Sequence, residues 1–180
     1  MSQRIRGYLA TSFDGFIAGP NHELDWLGAP PGDRSLPAGV LGFEAFMAEV
    51  GAMVMGRTTY DVVEAMAQWV YGEVPVLVAT HRPLAPKVAT VRAVAGPIDQ
   101  LLDQALTLAG GKDVYVDGGA TLRAALDAGR VDEIVVTVIP ILLGRGIPLF
   151  AGLSKRRPLQ IVYHRDFGGG AVQMLVRPSR

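Results

Sequence analysis

The chain of 180 residues contains no cysteine. A disulfide framework, a thiolate nucleophile and thiolate-bound zinc are excluded together. Charge is also sparse: charged residues make up 19%, and 17 Lys and Arg balance 17 Asp and Glu. No polycationic face follows from such a balance, so nucleic acid is not an expected partner. The apolar stretch from Ile134 to Leu143 is too short for a bilayer and is cut by Pro140, so no membrane span is expected. No secretory signal is visible at the first residues, and a cytoplasmic location is the expectation. The Gly-x-Gly-x-x-Gly fingerprint and the P-loop lysine pattern are missing, which disfavours a standard dehydrogenase and a P-loop NTPase. No serine stands in a Gly-x-Ser-x-Gly elbow, and His22, His81 and His164 lie too far apart for ligand spacing, so no metal site is expected.

What is present is apolar: hydrophobic residues make up 49%. That suits strands buried on both faces beneath helices. Ile5 to Ser12 reads as a first strand ended by the Asp14-Gly15 turn, and a long Gly- and Pro-rich loop from Gly19 to Gly39 follows. Phe43, Phe46, Met47 and Val50 repeat at helical spacing, and Ala52 to Met55 is a short buried strand. Gly56 to Thr59 opens the next helix, with Thr58 or Thr59 as its N-cap. Val74 to Ala79 is a strand, Val88 to Val94 a weaker edge strand, and Ile98 to Leu108 a helix. Val114 to Val116 is a strand, Thr121 to Ala128 a helix and Ile134 to Ile139 a strand. Leu159 to His164 and Ala171 to Val176 form a hairpin around Gly168 to Gly170. The order predicts one α/β domain over residues 1–180: three αβα layers, a mostly parallel sheet and an antiparallel C-terminal hairpin.

In open sheets of this kind ligands bind beyond the carboxyl ends of the strands, where helix N-termini point outward. Three junctions there carry suitable residues. Gly56, Arg57, Thr58 and Thr59 offer backbone N–H groups, hydroxyls and a guanidinium to a phosphate. Gly118, Gly119, Ala120 and Thr121 let backbone approach an anion closely. Thr80, His81 and Arg82 suit a ribose 2′-phosphate. Each junction alone is more often a turn; three at one sheet edge raise the reading of a nucleotide or other phosphate ligand. Trp26 either stacks on a flat ring or pins its loop to the core.

Four segments carry a resemblance. They are Ser12 to Ala18, Val54 to Tyr60, Tyr115 to Ala120, and Val131 to Phe150. In this order over almost the whole chain they resemble the dihydrofolate-reductase-like superfamily. The branch is that of the reductase domain of bifunctional riboflavin-biosynthesis deaminase-reductases. The resemblance implies NADPH as cofactor and a small heterocyclic substrate of pterin or pyrimidine type, reduced at C=N or C=O. By resemblance Ala10, Ile17 and Ala18 border the nicotinamide. The Gly56 and Gly118 junctions take phosphate and pyrophosphate, and Thr80, His81 and Arg82 lie near the adenine ribose. The acid that folate enzymes carry on the first helix falls near Val40, so Asp14 and Glu44 are the candidate proton donors. Trp26 and Thr137 fall at substrate-pocket positions, the loop from Gly19 to Gly39 is a candidate lid, and a homodimer is compatible with the branch. A non-catalytic NADP-binding or sensor protein of the same fold is the alternative, and a phosphosugar-binding module is a third.

Overall fold

A computed structural model of the chain describes residues 2–28 and 36–179. Its centre is an eight-stranded sheet built from β1 (Ile5–Ser12), β3 (Val50–Gly56), β4 (Val76–Ala79), β5 (Val91–Val94), β6 (Asp113–Asp117), β7 (Glu133–Ile139), β9 (Leu159–Gly168) and β10 (Ala171–Pro178). Across the sheet the order is β5, β4, β3, β6, β1, β7, β10, β9. The first six strands in that order run parallel, and β10 and β9 are antiparallel. The αβα fold and the terminal hairpin stand as the sequence predicts. Two short strands, β2 (Phe16–Ala18) and β8 (Ile147–Pro148), pair as a separate ribbon that periodicity could not reveal.

The parallel strands are buried on both faces because helices cover both. α3 (Ile98–Leu108) and α4 (Gly119–Asp127) lie on one face, where Leu102, Leu122, Val54 and Ile134 are fully buried. α1 (Phe43–Ala48) and α2 (Arg57–Glu64) lie on the other, with Phe46, Met53, Tyr60 and Tyr115. Each such side chain contributes roughly 1.5–3 kcal/mol on burial. Helix α1 stops earlier than its apolar spacing predicts. Val50 pairs with Asp113 of β6, so the ladder takes the residue that the helix pattern claimed.

Helix α2 also differs from expectation at its start. Gly56, not Thr58 or Thr59, is the N-cap, in extended conformation and with no side-chain hydrogen bond. Strand β3 runs directly into the helix, so both threonines fall within the first turn. Among the described residues no helix is long and apolar enough to cross a membrane.

Candidate functional site

Strands β3 and β6 are neighbours, yet the helices that follow them leave toward opposite faces: α2 packs with Tyr60 and Val63 on one, α4 with Leu122 and Leu126 on the other. Such a divergence opens a crevice at the carboxyl edge of a sheet. Here the crevice is narrow and needs glycine. Gly118 has φ +86°, and a Cβ on it would lie 2.2 Å from Thr59 Oγ1. Reciprocally, a Cβ on Gly56 would meet Thr121 Oγ1 at 3.1 Å. Like α2, α4 starts without a side-chain cap. The first-turn N–H groups of both helices therefore face the crevice region with no intrahelical acceptor, and carry the positive ends of two helix dipoles.

A cavity of about 420 Å³ occupies the crevice. Ala10, Ile17 and Ala18 border it from β1 and β2, Thr58 and Thr59 from α2, and Gly118, Gly119 and Ala120 from α4. These eight expected site residues are brought together. The other cofactor candidates are not on its wall. Thr121 is buried against Gly56. Arg57 donates to Asp61 Oδ1 at 2.7 Å and to the Pro83 carbonyl at 2.8 Å. Arg82, with its side chain 67% exposed, approaches the same Asp61 at 3.7 Å, and the Thr80 hydroxyl accepts the Arg82 N–H. His81 is exposed beside them. Arg57 and Arg82 thus form a cationic rim around one carboxylate.

A second cavity of about 430 Å³ shares the wall of Tyr8, Leu9, Ala10, Leu24, Leu27 and Met66 with the first. Thr137, expected in the substrate pocket, is buried on β7 and lines it. Trp26 borders neither cavity. It sits in a 3-10 turn at Asp25–Leu27 and donates its indole N–H to the Glu23 carbonyl, which leaves Leu24 and Leu27 facing the cavities. Residues 29–35 of the candidate lid lie outside the described residues.

Both candidate proton donors are displaced from the cavities. Glu44 is exposed on α1 and lines neither. Asp14 lines neither, and its carboxylate accepts from Ser12 Oγ at 2.6 Å, Gly144 N at 2.7 Å and Leu143 N at 3.1 Å. The Ser12 hydroxyl first, and then these amides, hold its pKa below the ordinary carboxylate value. A carboxylate so bonded ties the turn after β1 to the loop after β7 and is a poor acid.

The carboxylate that does reach the cavity is Asp117, at the end of β6. Tyr71 donates to its Oδ2 at 2.5 Å, and Gly118 N donates to Oδ1 at 2.7 Å. Enclosure by protein pushes the Asp117 pKa up, although Tyr71, Tyr115 and the Gly118 amide pull it down. Burial first, and then the adjacent Asp117 charge, raises that of Tyr71 far above the usual phenol value, so Tyr71 stays a donor. Sequence reasoning singled out the glycines that follow Asp117 and not the acid itself. Its signal was an acid placed directly before a helix N-terminus; Tyr71, in an unpatterned stretch, had none.

Comparisons with known proteins identify the fold and the family. The chain is 31% identical over 179 residues to the uncharacterized Bacillus subtilis (strain 168) protein YwjB, covering 97% of each chain. A solved structure of a Shewanella sp. PV-4 protein named for riboflavin biosynthesis superposes with a TM-score of 0.85 at 31% identity, covering 99% of this chain and 100% of that one. Dihydrofolate reductase from Enterococcus faecalis, solved with NADP(H), shares the fold alone: TM-score 0.67 at 14% identity, over 98% and 97% of the two chains. The family model of the RibD C-terminal domain matches residues 5–173, and the chain belongs to that family.

Proposed function

We propose that the protein is an NADPH-dependent reductase that delivers hydride to C=N or C=O of a small heterocyclic or related flat substrate. The observation that carries this reading is the pair of contiguous cavities with a common wall. One meets two uncapped helix starts, and the other is lined by Thr137. A dinucleotide fits the first by the chemistry of its lining. Thr58, Thr59, Gly118, Gly119 and Ala120 would hold its pyrophosphate, because backbone N–H groups at two helix N-termini suit an anion. Arg57, Arg82 and Thr80 at the rim would take the 2′-phosphate, and Ala10, Ile17 and Ala18 would leave room for the flat nicotinamide.

When bound, NADPH supplies hydride to the substrate carbon and becomes NADP⁺. The chain supplies orientation, exclusion of water and the proton that the heteroatom requires. The proposed source of that proton is protonated Asp117, which lines the first cavity and not the second and so would deliver it through solvent at their common wall, with Tyr71 fixing the carboxyl plane. Asp14 and Glu44 are set aside for that role by their bonding and position. The structure of the Enterococcus relative with NADP(H) supports the cofactor assignment by fold.

The test is titration with NADPH and NADH, followed by calorimetry or by quenching of Trp26 and Trp69 fluorescence. Micromolar NADPH binding, weaker by ten-fold or more for NADH and weakened by Arg82→Ala, is the expected result. Absence of binding by either nucleotide would sink the proposal. A non-catalytic NADP-binding protein is the second reading, favoured by the exposure of Glu44. It predicts NADPH binding that no substrate ever turns into oxidation. A homodimer belongs to the same proposal, since Leu159, Ile161, Val162 and Val172 stay exposed on the hairpin. Sedimentation at micromolar concentration checks it.

A further inference from the structure

The second cavity carries a statement about the substrate that rests on the reductase reading. Its walls include Leu27, Leu36, Phe43, Ile139 and Phe167. Among the described residues that line it there is no Lys, Arg, His, Asp or Glu. Two hydroxyls reach it, from Tyr8 and Thr137, and that of Tyr8 is engaged as donor to the Leu41 carbonyl at 2.9 Å.

The cations that might have served it are committed elsewhere. Arg165 lies two residues before Phe167. Its guanidinium bonds to the His164 carbonyl at 2.8 Å and stands over the Tyr163 ring at 5.1 Å. Arg123, on the wall of the first cavity, donates to the carbonyls of Pro148 and Leu149 at 2.8 and 2.9 Å. A phosphate moved from water into such a lining would lose its hydration and gain no cation among the described residues, and the one helix that starts at the wall, α1 at Phe43, is only six residues long. An uncharged ring loses little and gains close contact with three aromatic and several aliphatic side chains.

We infer that the substrate is an uncharged, flat, mainly apolar carbonyl or imine compound, oriented by one polar atom at Thr137, and not a phosphorylated ribose derivative. Specificity then comes from shape and from the absence of any countercharge, and a charged competitor is rejected by desolvation rather than by collision.

The experiment compares two probes with one ring system, 2-naphthol and 2-naphthyl phosphate, titrated by calorimetry into protein with and without saturating NADPH. The expected result is that 2-naphthol binds at least ten-fold more tightly. Ile139→Trp, which fills the second cavity alone, should weaken 2-naphthol at least ten-fold while NADPH affinity stays constant. Should that variant fail to fold, Thr137→Val serves, with a loss of three-fold or more expected for 2-naphthol. Residues 29–35, which include Arg34, lie outside the described residues; Arg34→Ala should leave the ten-fold preference unchanged. Equal or tighter binding of the phosphate, binding of neither probe, or indifference to the cavity variants would each overturn the inference. Loss of the reductase reading is distinguishable, because it appears in the NADPH titration and not in the probe pair.

Discussion

Tyr71 and Asp117, 46 residues apart, meet through a 2.5 Å hydrogen bond at the edge of the first cavity. Tyr71 comes from the segment between α2 and β4, and Asp117 from the last position of β6. The pair supplies the one carboxylate among the described residues that line either cavity. Its neighbours Phe43 and Tyr115 pack edge-on to Tyr71, with ring centroids 6.4 Å away in each case, so the phenol has little freedom to turn.

If protonated Asp117 is the acid, turnover is full below its pKa and falls as pH rises through it. Enclosure has moved that fall upward from the ordinary carboxylate range. The Tyr71 hydrogen bond favours the charged form, so Tyr71→Phe should shift the falling limb of kcat to still higher pH. Asp117→Asn should lower kcat by about 10²-fold or more, in line with general-acid contributions, and leave NADPH affinity within a few-fold. A pH profile of kcat for the three proteins decides it, and an unshifted limb in Tyr71→Phe counts against the role.

Gly118→Ala should be among the most damaging single changes at the site. Positive φ costs an L-residue about 1–2 kcal/mol, and here the new methyl would also strike Thr59 at 2.2 Å. Gly15 has a similar φ of +88° with nothing near its missing side chain, so Gly15→Ala carries the strain alone. The expectation is a larger loss of melting temperature for Gly118→Ala, together with loss of NADPH binding that Gly15→Ala does not share.

Gln173 is fully buried on β10 and grips one residue at both backbone groups: its Oε1 accepts Leu41 N at 2.8 Å and its Nε2 donates to Leu41 O at 2.9 Å. This fixes the segment ahead of α1, beside the second cavity. Gln173→Leu leaves the half-buried Leu41 N–H and carbonyl without their Gln173 partner, at a cost of about 1 kcal/mol or more. Denaturant unfolding should show that loss, and binding in the second cavity should weaken more than NADPH binding.

At the opposite end of the parallel strands, Arg6 and Glu133 are buried side by side, with Arg6 Nε 2.8 Å from Glu133 Oε1. Asp113 lies 3.1 Å from Arg6 Nη1, Glu49 also pairs with it, and Phe46 lies under the guanidinium. Removing one member strands its partners. Arg6→Met should destabilise by about 3 kcal/mol, partly relieved by Arg4 and Arg177, which also pair with Glu133. Thermal unfolding measures the loss, and NADPH affinity in the folded fraction should not change.

Legibility in the sequence was uneven for physical reasons. Strand β1 was placed to the residue, because a continuous apolar run bounded by Asp14-Gly15 leaves little choice. Helix α3 was equally plain, since Leu101, Leu102 and Ala105 keep one face. The glycine junctions at Gly56 and Gly118 were visible because glycine stands where the chain leaves a strand for a helix; at Gly118 the positive φ and the 2.2 Å approach to Thr59 also leave no room for a side chain. Asp14 and Trp26 misled for a common reason. A turn residue and a pocket residue look alike until the bonds that occupy them are known: Trp26 is occupied within its own loop, and Asp14 by Ser12 and by the loop after β7.

By itself, then, the sequence determined the layers, the parallel sheet and the sheet edge proposed here for a ligand, because periodicity and glycine placement are local properties of the chain. Tertiary structure alone decided which carboxylate meets the cavity and which cations are already spent. Those outcomes depend on partners tens of residues away: Tyr71 on Asp117, Leu143 and Gly144 on Asp14, and the Pro148 carbonyl on Arg123. No local pattern encodes such a meeting, since it exists only once the strands that carry the partners lie side by side.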